Sequence, residues 1–406
     1  MKLLKIRIKG VPLFEKDTLE LDFFAQNRVP LNDDCKLPND VFKLNSKDAI
    51  YSQNIIGLAG VNAAGKTTVL NLIQLILAYF VEPATVRKFA NSPVSRIGKI
   101  SDTLYVSAIF WEKNAYYLLE SELKHSVKSA ENENKSSLDS FIFTDETLRK
   151  YTAPRINRSS LKSFEEFRDK TTIIKRRNGP KDDETVLNET ERTFLSDGIS
   201  IVTAIVRPGK TIVESRNKEL PEESLSTPIV QAFDNSIEYL SWDTDAHVYH
   251  LKFKNEKELV VDRNVANAIL SRGTIAGSEL VSHASDVLRS GGYFVVDEIE
   301  EALNRSLVST VLELFASPIT NPHGATLIFS THYPQLLDSI HRKDNVYVLV
   351  RNDECKTKAV KFSDEIKRIE NKKSEVILTN LIKGSTPRYP DVQRMREFVK
   401  DYVNEH

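Results

Sequence analysis

Nine consecutive residues constrain this chain more than any others: Gly60-Val61-Asn62-Ala63-Ala64-Gly65-Lys66-Thr67-Thr68. Glycines at both ends of the turn free the backbone to direct N–H groups inward around an anion. Upstream, Ile55, Ile56, Leu58 and Ala59 form a short apolar run suited to a buried strand. Downstream, the residues from Val69 to Leu77 are apolar nearly all round, as in a helix enclosed by a core. Strand, glycine loop and helix start therefore come in the order a phosphate-binding loop needs, with the helix dipole favouring the anion. In such a loop Gly60, Asn62, Gly65 and Thr68 frame the phosphates. Lys66 reaches the β- and γ-phosphates, and the Thr67 hydroxyl ligates Mg²⁺. The expected ligands are ATP and Mg²⁺.

Composition narrows the class only a little. At 406 residues the chain can bury a sizeable core. Its 56 basic and 57 acidic side chains leave a formal net charge of −1, so any nucleic-acid surface must be local. Cys35 and Cys355 are too few for a disulfide framework or a zinc site. The start alternates charged and apolar residues, unlike a signal peptide, and no apolar run reaches the roughly 18 residues of a membrane span. A reduced, soluble, cytoplasmic protein is expected.

Along the chain, Leu4, Ile6 and Ile8 alternate with Lys5, Arg7 and Lys9 as one strand. Leu19, Leu21 and Phe23 mark a second. Residues 104–111 and 115–123 read as a strand pair turned at Lys113-Asn114. Residues 125–138 are polar and read as an exposed loop, and residues 149–177 carry ten basic against three acidic side chains, a local excess of +7. Residues 194–206 and 228–240 read as helical. The expected organisation is an N-terminal half with the glycine loop (1–124), an inserted, mainly helical lobe (125–248) and a C-terminal half (249–406). Short apolar strands alternating with helices in the last third imply a mainly parallel sheet with an N-terminal antiparallel layer.

A phosphate loop needs a partner for the metal and for water. Tyr293-Phe294-Val295-Val296-Asp297-Glu298 has four strand residues followed by two carboxylates at the strand's C-terminal end, where open α/β sheets bind ligands. Asp297 would hold Mg²⁺, and Glu298 would take a proton from attacking water. Ser330-Thr331-His332 ends the next predicted strand, which places His332 where it can hydrogen-bond a γ-phosphate.

This order of motifs resembles the ABC-type ATPase heads of chromosome-maintenance and RecF-like proteins. The resemblance implies an ABC-type head of P-loop NTPase fold, and a signature opening a helix some two dozen residues before Asp297. Leu270-Ser271-Arg272-Gly273-Thr274 stands there, with Arg272 for the family's first glycine and Thr274 for its glutamine. In the family this helix start caps nucleotide held by the opposite subunit, so Ser271, Arg272, Gly273 and Thr274 are implied nucleotide contacts in a homodimer or higher homo-oligomer. Ala302-Leu303-Asn304 stands at the family's D-loop. The glutamine switch expected near Trp111-Glu112-Lys113-Asn114 has no glutamine.

Residues 6–14 (Ile-Arg-Ile-Lys-Gly-Val-Pro-Leu-Phe) and 19–23 look like the opening of AAA-type ATPases of bacterial abortive-infection systems, the AbiL and PARIS types. So do 194–201 (Phe-Leu-Ser-Asp-Gly-Ile-Ser-Ile) and 271–274. That resemblance implies an antiphage ATPase working with a separately encoded effector, a nuclease or toxin, and answering a phage-derived trigger. Asp243-Thr244-Asp245 has the spelling of a nuclease motif but reads as a turn, so no nuclease is expected in this chain. Two other readings stay open. The basic stretch 149–177 could bind duplex phosphates in a RecF-like DNA-repair clamp, or be a solvated charged face. The chain could also bind nucleotide structurally without turnover.

Overall fold

The computed structural model describes residues 1–30, 39–80, 101–128, 138–180, 182–206, 211–213, 219–301, 303–367 and 371–404. Strands β1 (Lys2–Lys9) and β2 (Thr18–Asp22) open the chain. A short pair, β3 (Val41–Lys43) and β4 (Tyr51–Gln53), leads to β5 (Ile55–Gly60) and helix α1 (Lys66–Phe80). Next come β6 (Thr103–Glu112), β7 (Ala115–Lys128), β8 (Leu138–Tyr151), α2 (Phe164–Arg168), β9 (Thr171–Arg176), α3 (Glu189–Phe194) and β10 (Thr211–Val213). A small unit follows, with α4 (Thr227–Phe233), β11 (Ile237–Asp243), β12 (Val248–Phe253), β13 (Leu259–Val261) and α5 (Arg263–Ile269). The last third holds α6 (Arg272–Ser290), β14 (Tyr293–Val296), α7 (Arg305–Ala316), β15 (Thr326–Ser330), β16 (Val346–Arg351) and β17 (Thr357–Lys361). Helices α8 (Phe362–Glu365), α9 (Lys373–Leu378) and α10 (Tyr389–Asn404) end it.

The central sheet runs β10-β14-β15-β5-β16-β17, parallel except at β17. A second sheet, β2-β1-β6-β7-β8-β9, is antiparallel throughout. Helix α1 lies against one face of the central sheet in the same core as the antiparallel sheet, which is why it is apolar on every side. Its Val69, Leu70, Leu72, Ile73, Leu75, Ile76 and Leu77 are at most 1% exposed, each worth about 1.5–3 kcal/mol of gross burial. Helices α6 and α7 cover the opposite face through Leu280, Ala284, Val287, Val308, Val311 and Phe315. The mixed α/β architecture with a mainly parallel sheet and an antiparallel layer is as expected.

Two tyrosines join the sheets. The β1–β6 register shifts between Leu3 and Lys5, and the Leu3 N–H there donates to the Tyr293 hydroxyl at 2.6 Å. The Asp22 N–H on β2 donates to the Tyr347 hydroxyl at 2.7 Å.

The expectation of a mainly helical insert is corrected. Residues 138–151 and 171–176 are strands that extend the antiparallel sheet, and residues 237–261 form a three-stranded sheet with its own core of Leu240, Tyr249 and Leu251. The limit expected at 124 falls inside β7, and the one at 248 falls where β12 begins its pairing with β11. The helix expected over 194–206 reduces to the end of α3 and one 3₁₀ turn, Ile201–Ala204. That expected over 228–240 breaks at Asp234 and becomes β11. The polar loop expected over 125–138 is taken up by β7 to Lys128, and 129–137 lie outside the described residues, as does Cys35. Among the described residues no helix is long and apolar enough to cross a membrane.

Candidate nucleotide site

The loop between β5 and α1 turns because its backbone can enter the left-handed region. Gly60 has φ +147° and Gly65 φ +93°, and the exposed crest residue Ala63 has φ +60°. A Cβ on Gly60 would stand 2.4 Å from the Leu349 carbonyl oxygen of β16, and one on Gly65 would stand 2.9 Å from the Leu13 side chain. The loop is held from outside as well, since the Thr357 hydroxyl donates to the Ala64 carbonyl at 3.0 Å. Asn62 sits exposed at the crest, and Thr68 lies in the first turn of α1.

Lys66, nearly buried, donates from Nζ to the Gly60 carbonyl at 2.9 Å and the Val61 carbonyl at 3.3 Å. It also lies 3.3 Å from Nδ1 of His332. Burial pulls its pKa below the usual lysine value, opposed by the charges of Asp297, Glu298 and Glu300. The Thr67 hydroxyl donates to Asp297 Oδ2 at 2.7 Å. Nε2 of His332 stands 3.3 Å from Glu298 Oε1. An ammonium on Nδ1 and a carboxylate on Nε2 fix the tautomer: Nδ1 accepts and Nε2 carries the proton. Lys66, His332 and Glu298 thus form one polar chain across the ends of β5, β14 and β15.

Three residues absent from the expected set hold this group together. The buried Ser330 hydroxyl donates to Asp297 Oδ1 and accepts from the Glu298 N–H at 2.8 Å. Glu298 adopts φ +52°, unusual for a residue with a side chain and of the kind that clusters at functional sites. Glu300 Oε1 accepts the His332 N–H at 2.6 Å. Thr357 is the third, through its bond to the loop. The repeated acid in Asp297-Glu298-Ile299-Glu300 and the serine of Ser-Thr-His were visible signals for the first two. Nothing near Thr357 in sequence marks it.

The remaining expected residues stand elsewhere. Ser271 caps α6, its hydroxyl accepting from the Thr274 N–H at 3.0 Å. Ser271 and Arg272 are exposed, while Thr274 is buried. Together with Gly273 they form the first turn of a helix on the opposite face of the central sheet from α1. Asn304 caps α7 by accepting from the Leu307 N–H at 3.1 Å, and Ala302 lies outside the described residues. The Trp111–Asn114 turn is at the wrong end of the molecule for a switch. Trp111 pairs with Lys2, whose ammonium bonds the carbonyls of Gly291 and Gly324, before β14 and β15, whereas Asp297 and Ser330 lie at the far ends of those strands.

The basic stretch is largely answered by carboxylates from elsewhere in the chain. Arg149 and Arg168 face Glu120, Lys175 faces Glu191, Arg176 faces Asp183, and the buried Arg177 bonds Glu146 at 2.7 Å. Those four carboxylates remove four charges and Arg7, paired with Glu165, adds one back, so the local excess falls from +7 to +4. The 194–201 segment completes the buried pair. Carbonyls of Leu195 and Ile199 accept from Arg177, and the Ser200 hydroxyl bonds Glu146 at 2.6 Å.

No family model matches the chain, and no curated protein matches it. Among solved structures it is similar to an SMC head domain from Thermotoga maritima. Identity is 11% and the TM-score 0.39, over 89% of this chain and 99% of that one. The chemistry of the site rests on its own geometry.

The residues present fit a nucleotide with a divalent cation. Gly60 and Gly65 give the loop its left-handed turn over the start of α1, and Thr67 and Asp297 bring a hydroxyl and a carboxylate oxygen within 2.7 Å. Among the described residues no group of three or more acidic, His or Cys side chains is arranged to hold a metal alone. A hydroxyl and one carboxylate match Mg²⁺, which keeps waters and shares phosphate oxygens.

Proposed function

We propose that this chain binds ATP with Mg²⁺ and hydrolyses it as an oligomeric switch in antiphage defence, controlling a separately encoded effector. The observation that carries the enzymatic part is the convergence of Lys66, Thr67, Asp297, Glu298 and His332 on the glycine loop at the start of α1. Gly60, Asn62, Gly65, Lys66, Thr67 and Thr68 bind the phosphates, with backbone N–H groups at the helix start meeting negative charge. Thr67 and Asp297 would hold Mg²⁺, which supplies neutralisation of the phosphate charge. Glu298 accepts the proton of the attacking water. His332, with its proton on Nε2, orients that carboxylate and lies within reach of the terminal phosphate. Ser271, Arg272 and Gly273 at the start of α6 would cap nucleotide from a second copy, with the buried Thr274 holding the Ser271 hydroxyl in place, which makes the site an interface. The defence setting and its phage-derived trigger rest on the residue resemblances alone, and the cytoplasmic location on the composition.

The five ion pairs that tie half of the basic stretch to carboxylates outside it weaken the DNA-clamp reading. Steady-state phosphate release tests the proposal. Lys66→Ala should lose ATP binding, whereas Glu298→Gln should bind ATP normally and turn over about 10²–10⁴ times slower. Wild-type turnover by Glu298→Gln would refute the assigned base. Unchanged oligomer and phage restriction in that variant would refute the switch.

A further inference from the structure

Helix α10 leaves the rest of the protein with no buried residue along its 16-residue length. Residues 394–404 are all exposed, and Met395, Phe398, Val399, Tyr402 and Val403 are each between 52% and 69% exposed. A helix this short is marginal alone in water and draws its strength from an apolar face laid against something. Scattered exposed apolar residues are ordinary, but here they follow a rule. Val392, Met395, Val399 and Tyr402 are spaced three, four and three apart, the a and d positions of two heptads.

The flanking positions identify the occupant. Asp391 and Phe398 take the g positions, and Arg396 and Val403 the e positions. In a parallel, in-register pair each g residue faces the e residue five further along in the other chain. Asp391 then meets Arg396 of the partner subunit, and Phe398 meets Val403 of the partner subunit. Reversing one helix about the same seam puts g opposite g and e opposite e, which sets Asp391 against the partner's Phe398 and Arg396 against the partner's Val403, two mismatches. Within one chain Asp391 is held by Arg388 at 3.0 Å and by Arg394, and among the described residues Arg396 makes no ion pair. The helix itself carries three basic and three acidic residues, so its charge selects neither an anionic membrane nor a nucleic acid.

We propose that α10 is a pairing helix for a second copy of this chain, lying parallel and in register with its counterpart about a two-fold axis. Tyr389 and Asp391 at its base line a cleft of about 1080 Å³ that Gly60, Asn62 and His332 also line. The paired helices therefore rise from the edge of the nucleotide site. Pairing needs no nucleotide, so it stands or falls apart from the ATPase reading.

The test is site-directed disulfide trapping of nucleotide-free full-length protein in which Cys35 and Cys355 are serine. Cysteine at a seam position, Val392→Cys or Val399→Cys, should crosslink two chains under mild oxidation at least about tenfold faster than Lys400→Cys on the outer face. Equal rates at positions 392 and 400 would overturn the proposal, because the antiparallel arrangement separates the two copies of residue 392. Light scattering supplies a second arm on residues too exposed to be needed for folding. Asp391→Arg should weaken the dimer, and Arg396→Asp added to it should restore the wild-type mass. A double variant no better than the single one refutes the parallel register.

Discussion

Ser330→Ala is the sharpest probe of the site, because this hydroxyl touches the Asp297 carboxylate and the Glu298 backbone and nothing of the phosphate loop. It donates to Asp297 and accepts the Glu298 N–H at 2.8 Å, and the residue is fully buried. Hydrogen bonds to charged groups contribute about 1.5–3 kcal/mol, so losing the Asp297 bond alone costs that much positional restraint. The Glu298 N–H is orphaned at the same time, and with it the restraint on a left-handed φ of +52°. If the whole of the first loss falls on the transition state, kcat drops by about ten- to 150-fold. Nucleotide affinity should hold, since Lys66 and the Gly60–Gly65 turn are untouched. The assay is steady-state phosphate release beside equilibrium binding of a fluorescent ATP analogue. A kcat within about twofold of wild type, with unchanged binding, would show that Ser330 does not position the carboxylates. A loss of binding equal to the loss of turnover would show that it acts through the loop.

Two predictions concern stability. Arg177→Met leaves Glu146 buried without its cation and should lower unfolding free energy by about 3–5 kcal/mol, read by urea denaturation; a change below about 1 kcal/mol would contradict the burial argument. The hydrogen bond to Asp40 raises the pKa of His341 above its usual 6.5, so the stability it contributes is complete below that pH and is lost as pH rises through the raised value. Melting temperature should fall across that window in the wild type and be flatter in His341→Gln; parallel profiles would remove the pair from the explanation.

The site was legible wherever the chemistry is written in consecutive residues. Loop, Asp297-Glu298 and Ser330-Thr331-His332 each end a strand, and parallel strands bring their C-terminal ends to one edge. What was hidden depends on direction and distance in space. The Trp111–Asn114 turn was rightly placed between two strands, but sequence does not say at which end of the sheet a hairpin points. The excess charge over 149–177 was counted correctly, yet Glu120, Glu146, Asp183 and Glu191 answer it from outside that stretch. Residues 138–151 escaped as a strand because one edge meets β7 and the other β9, and both partners lie beyond a local window. Phe194–Ile201, quoted for its resemblance, serves the fold by closing over the Arg177–Glu146 pair.

The tyrosine bonds between the two sheets bear on how this protein can move. Tyr293 starts the strand that carries Asp297, and its hydroxyl takes the Leu3 N–H beside the irregularity in β1; Tyr347 repeats the arrangement three strands along. Sliding one sheet past the other would break both bonds and strand two buried N–H groups, so these bonds oppose shear between the layers. The small unit around β11–β13 has a core of its own and meets α6 where Phe233 packs on Gly277. Rotation of that unit about α6 would leave both tyrosine bonds intact.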